Sequence, residues 1–259
     1  MLPQIFKPFH VKKSNLLRIG PNKDGGYVID KRVISKSKTI ITCGLNDDWE
    51  FEKDFLSKNE KCKVIAYDHT VDNKFWDKRL KKDLISLILL KKLSFNKIKD
   101  VFKYWEYKRF FNSKNEHHIK KIVEKKKRTN EITINEIYKK YKDTVLKVDI
   151  EGDEYKVFKD ILNNSNKINL LIVEFHSVNR NLKKIINFMK NSKFKLIHIH
   201  ANNYGKVNSK NIPDVLELTF LNKKKFKISN ERTKNSFPIN GLDFANLKRR
   251  EDIKIKFND

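Results

Sequence analysis

Short apolar segments recur along the chain and are separated by segments with a helical spacing of apolar residues. Five of the short segments are continuously apolar and rich in β-branched residues, which is typical of strands buried on both faces of a parallel sheet. They lie at 39–43, 63–67, 144–148, 170–175 and 194–199. A sixth segment, 215–220, alternates apolar and polar residues, which suits a later, antiparallel strand.

Helical patterns fill the intervals between these strands. They lie at 49–56, 134–138, 154–162 and 181–191. This alternation predicts an α/β fold with a doubly wound, mostly parallel sheet and helices on both faces. Because no internal repeat and no linker rich in Pro, Gly or Ser divides the 259 residues, we predict a single domain over 1–259.

Two segments interrupt this alternation. Residues 72–127 are rich in lysine and aromatic residues and show helical periodicity, so we predict a mostly helical insertion that covers the substrate. Residues 1–35 precede the first predicted strand. We expect them to form a cap over the carboxyl ends of the strands, the edge at which open α/β sheets bind their ligands.

The composition narrows the class of protein. The longest apolar run, 84–90, is about two helical turns, whereas a membrane-spanning helix needs roughly 20 residues. The first residues lack the features of a signal peptide. Two cysteines, Cys43 and Cys62, are too few for a disulfide framework or a cysteine-built zinc site. We therefore expect a soluble, cytoplasmic protein without a transmembrane segment, and the oligomeric state stays open.

The charge is strongly basic, with 58 Lys and Arg residues against 32 Asp and Glu residues and a net charge of +26. Such a surface attracts nucleic acid, but only nine of the basic residues are arginine, which nucleic-acid readers favour for bidentate contacts. The lysines are also spread along the chain. We therefore favour a solvated lysine surface and expect no nucleic-acid partner; the remaining partners that this charge suits are an anionic substrate or a membrane surface.

Polar residues and a glycine follow the first two predicted strands. Gly44, Asn46 and Asp47 come directly after the first, in a loop that lacks the G-x-G-x-x-G pattern of dinucleotide binding. Asp68 ends the second strand, where an acidic side chain can accept hydrogen bonds from a ribose. Each feature alone also fits an ordinary turn. Together they predict a nucleoside ligand.

The third long strand runs into a dense group of acids. Four carboxylates lie within six residues, at Asp149, Glu151, Asp153 and Glu154. They would repel one another unless a cationic ligand, a metal ion or a lysine lay among them. A helix N-terminus, where acids are favourable, explains Asp153 and Glu154 but not Asp149 at the strand tip.

The next two strands end in further polar groups. Glu174 and His176 project to one side of the first, and His198 and His200 to one side of the second, which is followed by Asn202. We expect these groups to meet Asp149 at one edge of the sheet. Histidine and carboxylate together can act as a general base or bind a divalent cation.

Several of these segments, taken in order, resemble the FkbM family of S-adenosylmethionine-dependent methyltransferases. The hallmark K-x-D-I-E-G-x-E is matched over 147–154, and the amino-terminal R-x-G-x-x-x-D-G-G-Y element over 18–27. Weaker matches lie at 43–52, 132–137, 172–176 and 198–203. The resemblance covers about 16–70 and 130–220. It departs from the common pattern in the first loop, which reads Cys-Gly-Leu-Asn where G-x-G is frequent, and 72–127 matches nothing.

The resemblance implies a class I Rossmann-like fold with a seven-stranded sheet, S-adenosylmethionine as cofactor, and O-methylation, often of a sugar hydroxyl. Its implied catalytic residues are Asp149, His176 and Glu174. Its implied cofactor-binding residues are Asp24, Gly25, Gly26, Gly44, Asn46, Asp47, Asp68 and Asp149. Glu151, His200 and Asn202 are the expected contacts of the acceptor, a sugar or glycan that is anionic if the basic surface attracts it. If a divalent cation takes part, its candidate ligands are Asp149, Glu174 and His176.

Other interpretations stay open at this stage. An NAD-dependent dehydrogenase would use a similar sheet, but the dinucleotide pattern is missing. A basic protein that binds nucleic acid or an anionic glycan on a degenerate methyltransferase fold would explain the charge. A methyltransferase fold that binds the cofactor without transferring a methyl group would carry the same motifs.

Overall fold

The computed structural model describes residues 1–89 and 95–258, and their side chains outside 87–100. The strands are β1 (Leu16–Ile19), β2 (Tyr27–Asp30), β3 (Thr39–Cys43), β4 (Lys63–Tyr67), β5 (Glu116–His118), β6 (Lys121–Ile122), β7 (Glu131–Ile132), β8 (Thr144–Val148), β9 (Ile168–Phe175), β10 (Phe194–Ala201) and β11 (Leu216–Asn222). The α-helices are α1 (Glu50–Lys58), α2 (Asn73–Leu89), α3 (Phe95–Phe110), α4 (Ile134–Ile137), α5 (Phe158–Asn163) and α6 (Val178–Asn191). Short 3₁₀ helices lie at Gln4–Phe6, Lys13–Asn15, Lys31–Val33, Glu154–Lys156 and Ser165–Lys167.

Seven strands form the central sheet, in the order β10-β11-β9-β8-β3-β4-β5. The five strands from β9 to β5 are parallel, and β11 runs antiparallel between β9 and β10. The predictions of an α/β fold, a mostly parallel sheet and an antiparallel late strand are confirmed. All six strands predicted from apolar runs are present, because continuous burial on both faces leaves a local signal in the sequence.

The seventh strand, β5, lies within the segment predicted to be a helical insertion. The helical part of that prediction agrees with α2 and α3, but Glu116–His118 pairs with β4 at the edge of the sheet. Its three residues are polar and only half-buried, so no apolar run marks it. An edge strand tolerates polar residues because one of its sides has no strand partner.

The α2–α3 hairpin is anchored by aromatic packing on the loop after β3. Trp49 lies in a cluster with Trp76 and Tyr107, whose ring centroids are 6.3 and 5.8 Å from its own. This cluster is separate from the main hydrophobic core. The main core is built around β3, β8 and β9, whose residues are all buried. The hairpin therefore packs on the loop after β3 and on Ala66 of β4.

The two ends of the chain pack against each other. Leu2 bridges Phe257 and Phe9 bridges Arg232, so the segment after β11 runs back beside the N-terminal residues. The hairpin of β1 and β2 places the 20–26 loop at the carboxyl ends of the central strands. Within the part of the chain that is described, no helix combines the length and the apolarity that crossing a membrane requires.

Candidate active site

A cavity of about 330 Å³ opens at the carboxyl ends of β3, β4 and β8. The strand order reverses between β8 and β4, with β3 in the middle, and ligands of open α/β sheets bind at such a switch point. The residues that line the cavity are Asp24, Gly25, Tyr27, Gly44, Leu45, Asn46, Asp48, Phe51, Tyr67, Asp68, His69, Thr70, Lys120, Lys121, Ile122, Lys147, Asp149, Ile150, Glu151 and Asp153. The volume suits one small molecule.

Gly44 is the point at which two loops of the cavity meet. Its φ is +86°, and a Cβ built on it would lie 1.6 Å from the backbone oxygen of Asp149. The N–H of Asp149 donates to the oxygen of Cys43 at 2.8 Å. Only glycine tolerates both this conformation and this approach. The glycine therefore brings the loop after β3 against the hallmark segment.

Asp68 holds the loop after β3 in place. One carboxylate oxygen accepts the N–H groups of Leu45 and Asn46, both at 2.9 Å, and the other accepts the N–H and hydroxyl of Thr70 at 2.7 and 2.6 Å. Burial alone would raise the pKa of Asp68, but these hydrogen bonds together lower it. Because the protein occupies most of its acceptor sites, the predicted contact with a ribose stays a prediction.

Lys147 supplies the positive charge that the acid-rich segment needs. Its side chain is buried under the cavity, and its Nζ lies 3.4 Å from Glu52. Burial disfavours its charge, but Glu52 and Asp149 more than compensate and raise the pKa of Lys147. The ammonium group also faces the rings of Tyr27 and Phe51, at 5.6 and 5.8 Å from their centroids. Lys147 is therefore a fixed cation beside Asp149.

Asp149 offers an unused acceptor to the cavity. Its Oδ1 is buried and has no hydrogen-bond partner in the described part of the chain. Burial is the main cause that raises the pKa of Asp149 to about 7, while the charges of Lys147 and His176 oppose the rise. A carboxyl group of this kind exchanges a proton near neutral pH, which is the property of a general base.

His176 lies behind Asp149 and outside the cavity lining. Its Nδ1 is 3.0 Å from Glu154, and its Nε2 is 3.5 Å from both Glu151 and Glu174. Burial favours the neutral ring, but the carboxylates, Glu154 first, raise the pKa of His176. The imidazole therefore joins the carboxylates of Glu151, Glu154 and Glu174 around it.

A second acidic group lies deeper, under the 20–26 loop. Asn202 donates to Asp24 at 3.3 Å and to Glu174 at 3.2 Å, and Asn246 joins Asp24 to Glu217. Burial, followed by the neighbouring acids, raises the pKa of Glu174 well above its ordinary value. Glu174 is thus a buried, hydrogen-bonded part of the cavity's support.

His200 belongs to this deeper network. Its two ring nitrogens each lie 3.0 Å from a carboxylate, Nδ1 from Glu217 and Nε2 from Asp252. Both nitrogens are used within the protein, and neither His200 nor Asn202 lines the cavity. Their predicted contact with the acceptor therefore has no direct geometric support.

Seven of the predicted site residues line the cavity. They are Asp24, Gly25, Gly44, Asn46, Asp68, Asp149 and Glu151. The other six, which are Gly26, Asp47, Glu174, His176, His200 and Asn202, do not. Asp47 turns away and pairs with Arg79 and Lys103 on the α2–α3 hairpin, while its neighbour Asp48 lines the cavity. Gly26 packs against Pro21 and Arg18 under the loop.

Sequence reasoning missed several residues of the lining. Lys147 carried a signal, because it alternates with Asp149 along β8 and so lies on the same side of the strand. Tyr27 lay within the recognised D-G-G-Y element. Lys120 and Lys121 carried no signal, since they follow β5, the strand that the apolar pattern does not reveal.

Among the residues that the structure describes, two groups of side chains have the spacing of a metal site. In each group the candidate ligand atoms lie within 4.8 Å of one another: Asp149, Glu151 and His176 form one, and Asp24, Glu174 and Glu217 the other. The predicted set of Asp149, Glu174 and His176 is divided between them, and the participation of a cation stays a prediction.

The comparison with protein families decides the assignment. The model of the methyltransferase FkbM domain matches residues 9–196. The chain belongs to the FkbM methyltransferase family. The resemblance read from the hallmark is thus confirmed, and with it a class I methyltransferase fold that uses S-adenosylmethionine. The matched part of this FkbM methyltransferase ends within β10. Glu217 on β11 lies beyond the match, as do Asp243 and Asn246 in the segment after β11.

Solved structures similar to this FkbM methyltransferase are also methyltransferases or their complexes, at low identity. A fibrillarin/Nop5p complex has 8% identity and a TM-score of 0.40, and the match covers 72% of this chain and 73% of the other. A candidate tRNA methyltransferase from Streptococcus pneumoniae, in complex with S-adenosyl-L-methionine, has 13% identity and a TM-score of 0.37, covering 81% and 76%. A precorrin-6y C5,15-methyltransferase from Geobacter metallireducens has 7% identity and a TM-score of 0.36, and the match covers 74% of this chain and 84% of the other. No curated protein matches the chain. The argument on function rests on the family and the cavity.

Proposed function

We propose that this FkbM methyltransferase transfers a methyl group to a hydroxyl group of a sugar or glycan. The observation that carries the proposal is the buried Oδ1 of Asp149, which has no partner and belongs to a carboxyl with a pKa of about 7. An alcohol is a poor nucleophile until its proton leaves, so a hydroxyl acceptor needs a base of this kind. A neutral aromatic amine keeps its lone pair at neutral pH and would need such a base less.

The cavity suits the cofactor by its charge and shape. Six carboxylates line it against three lysines, which favours a ligand that carries cationic groups. The sulfonium of S-adenosylmethionine supplies the methyl group. We assign the cofactor's polar end to the loop Gly44–Asn46 with Asp24 and Gly25 above it, and its nucleoside to the wall at Tyr67 and Asp68.

Asp149 then takes up the proton of the acceptor. As its Oδ1 accepts that proton, the acceptor oxygen forms the bond to the methyl carbon, and the electron pair of the broken carbon–sulfur bond stays on sulfur. Lys147 holds Asp149 in its charged form before the reaction, and His176 orders Glu151 and Glu154 beside it. These side chains hold the reacting groups in position. Such positioning supplies much of the rate acceleration of a displacement reaction.

Lys120 and Lys121 suggest the kind of acceptor. Both line the cavity, and Lys121 makes a loose ion pair with Asp153 at 3.8 Å. We propose that these lysines receive an acidic group of the acceptor, such as a carboxylate or a phosphate on the sugar. Nucleotide-linked sugars carry such groups and occur in the cytoplasm, the location we propose for the protein.

A divalent cation is the alternative means of activating the hydroxyl. Asp149, Glu151 and His176 have the donor types for such an ion, and the unpartnered Oδ1 of Asp149 could be one ligand. A metal-bound hydroxyl loses its proton more readily. Turnover that is abolished by a chelator and restored by Mg²⁺ or Mn²⁺ would favour this role, and turnover insensitive to the chelator would favour the base.

Calorimetric titration with S-adenosylhomocysteine tests the cofactor, with NADH as the control. We expect micromolar binding of the first and none of the second. Transfer of a labelled methyl group from S-adenosylmethionine to a panel of acidic and neutral sugar nucleotides then tests the acceptor, with the product identified as a methyl ether by NMR. A product methylated on an amine would contradict the proposal. A folded protein that binds neither S-adenosylhomocysteine nor NADH would also contradict it, and a basic binding protein would then be the better interpretation.

A further inference from the structure

The α2–α3 hairpin has a second apolar face that nothing in the described protein covers. Its inner face packs through Trp76 and Tyr107 on Trp49. On its outer side, Phe102 and Trp105 are 59% and 50% exposed, and their ring centroids lie 5.8 Å apart. Four of the large apolar side chains exposed in the described residues lie on this hairpin: Leu84, Ile85, Phe102 and Trp105.

The hairpin is also strongly basic. By sequence, α2 and α3 carry ten Lys and Arg residues against four Asp and Glu residues. Exposed cations of the hairpin include Lys74, Lys78, Lys81, Lys82, Lys108 and Arg109. Two of the acids are already paired, Asp83 with Arg79 and Glu106 with Lys53. The exposed aromatic pair therefore lies on a hairpin whose cations outnumber its acids.

This combination has the chemistry of a surface for an anionic bilayer. Exposed tryptophan and phenylalanine insert at the depth of the lipid headgroups, while flanking lysines pair with anionic headgroups at the surface. The net charge of +26 adds long-range attraction to such a surface. A protein partner would have to supply a large acidic surface as well as a pocket for the two rings.

The hairpin also lies next to the cavity. Arg79 and Lys103 of the hairpin pair with Asp47, which adjoins Asn46 in the cavity lining. Trp49, in the same loop, stacks on Phe110 of the hairpin at 6.4 Å. The hairpin therefore contacts the same loop that supplies Gly44, Leu45 and Asn46 to the cavity.

We propose that the α2–α3 hairpin, which exposes the paired rings of Phe102 and Trp105 on α3 and Leu84 and Ile85 on α2 among its lysines, docks the protein on a bilayer that contains anionic phospholipid. The inference goes beyond methyl transfer and does not depend on the acceptor. We expect the protein to bind at the bilayer surface without crossing it. Only a few apolar side chains are available to insert, and the helices that carry them are part of the folded protein.

Co-sedimentation with vesicles tests the docking. We expect binding to vesicles of phosphatidylcholine with phosphatidylglycerol, little binding to phosphatidylcholine alone, and a marked loss at about 0.5 M salt, where exposed charges are screened. The variant with Phe102→Ser and Trp105→Ser should bind at least about tenfold more weakly. The variant with Tyr204→Ser and Val207→Ser, which removes exposed apolar side chains outside the hairpin, should bind like the parent.

Tryptophan fluorescence supplies a second measurement. Trp49 and Trp76 are buried, so an emission shift on adding vesicles, with quenching by brominated lipid, would report Trp105. Circular dichroism checks that each variant is folded. Absence of binding, equal binding by both double variants, or equal binding to neutral vesicles would overturn the proposal. So would a dimer in sedimentation velocity that the Phe102→Ser and Trp105→Ser changes abolish, since the face would then bind a second copy of the chain.

Discussion

Asp149 derives its chemistry from contacts that its own segment does not contain. The hallmark segment puts an acid at the tip of β8. The pKa of about 7 arises mainly because the carboxyl is buried where the loop after β3 meets it at Gly44; Glu151 and Glu154 add to the rise, and Lys147 and His176 oppose it. The position is local, but the reactivity is a property of the assembled site.

We expect Asp149→Asn to lower kcat by about 10²–10⁴-fold while leaving the fold intact, because the amide keeps the shape and cannot take up a proton. In the parent, kcat/KM should rise with pH through about 7 as the carboxyl ionises, and the variant should lack this limb. Asp153→Asn is the matched control, since Asp153 also lines the cavity but is paired with Lys156. A variant at Asp149 with near-parental kcat would refute its role as base.

Gly44 provides a stability test of the loop contact. Gly44→Ala places a methyl group against the backbone oxygen of Asp149 at a positive φ, so we expect a loss of at least about 3 kcal/mol in the free energy of unfolding. Gly152→Ala shares the positive φ but has nothing within 4 Å of the added carbon, and should cost about 1–2 kcal/mol. Urea unfolding of both variants measures the difference; equal losses would mean that φ alone matters.

At the scale of elements, the α2–α3 hairpin depends on its aromatic anchor. Trp76 is 3% exposed and contacts Trp49, Phe75, Tyr104 and Tyr107. These rings attach the hairpin to the loop after β3, together with the ion pairs of Arg79 and Lys103 with Asp47. The loop after β3 carries Trp49, and it therefore links the hairpin to the cavity.

Trp76→Ala should destabilise the protein by about 3–5 kcal/mol, because it leaves a large void in a packed cluster. Trp105→Ala removes a half-exposed ring and should change stability by no more than about 0.5 kcal/mol. Thermal unfolding compares the two, and hydrogen exchange over 73–86 and 101–110 locates the effect. A large loss from Trp105→Ala would show that its ring supports the fold rather than an external surface.

At the scale of the whole molecule, the segment after β11 is joined to the sheet through buried ionisable groups. His200 on β10 bonds Glu217 on β11 and Asp252 near the end of the chain. Burial alone would lower the pKa of His200, but the hydrogen bonds of Asp252 and Glu217 raise it to about 10. The charged ring therefore stabilises the docked segment over the ordinary pH range.

The pH dependence of stability tests this link. The folded pKa of His200 lies above its unfolded value of about 6.5, so its contribution is fully present below about pH 6.5 and is lost as pH rises through about 10. The melting temperature of the parent should exceed that of His200→Gln most at pH 6, and the difference should shrink toward pH 10. A difference that does not change with pH would contradict the charged state.

The sequence by itself determined six of the seven strands of the central sheet, the helices between them and the identity of the reacting segment. Strands buried on both faces must be apolar throughout, and the turns at Gly44 and Gly152 need glycine, so both leave local marks that can be read without a structure. The cavity-lining role of Asn46 and Asp149 follows from the rule that ligands bind at the carboxyl ends of strands, and that of Asp24 and Gly25 from the family resemblance over 18–27.

Only the tertiary structure decided which polar groups face the cavity and which support it. Asp47 and Asp48 are neighbours, yet an ion pair with α2 turns Asp47 away. His200 meets a carboxylate 52 residues further along the chain, and Lys147 meets one 95 residues before it. Partners so distant leave no periodic signal, because what selects them is the cost of burying an unpaired charge, and that cost arises only when the chain has folded.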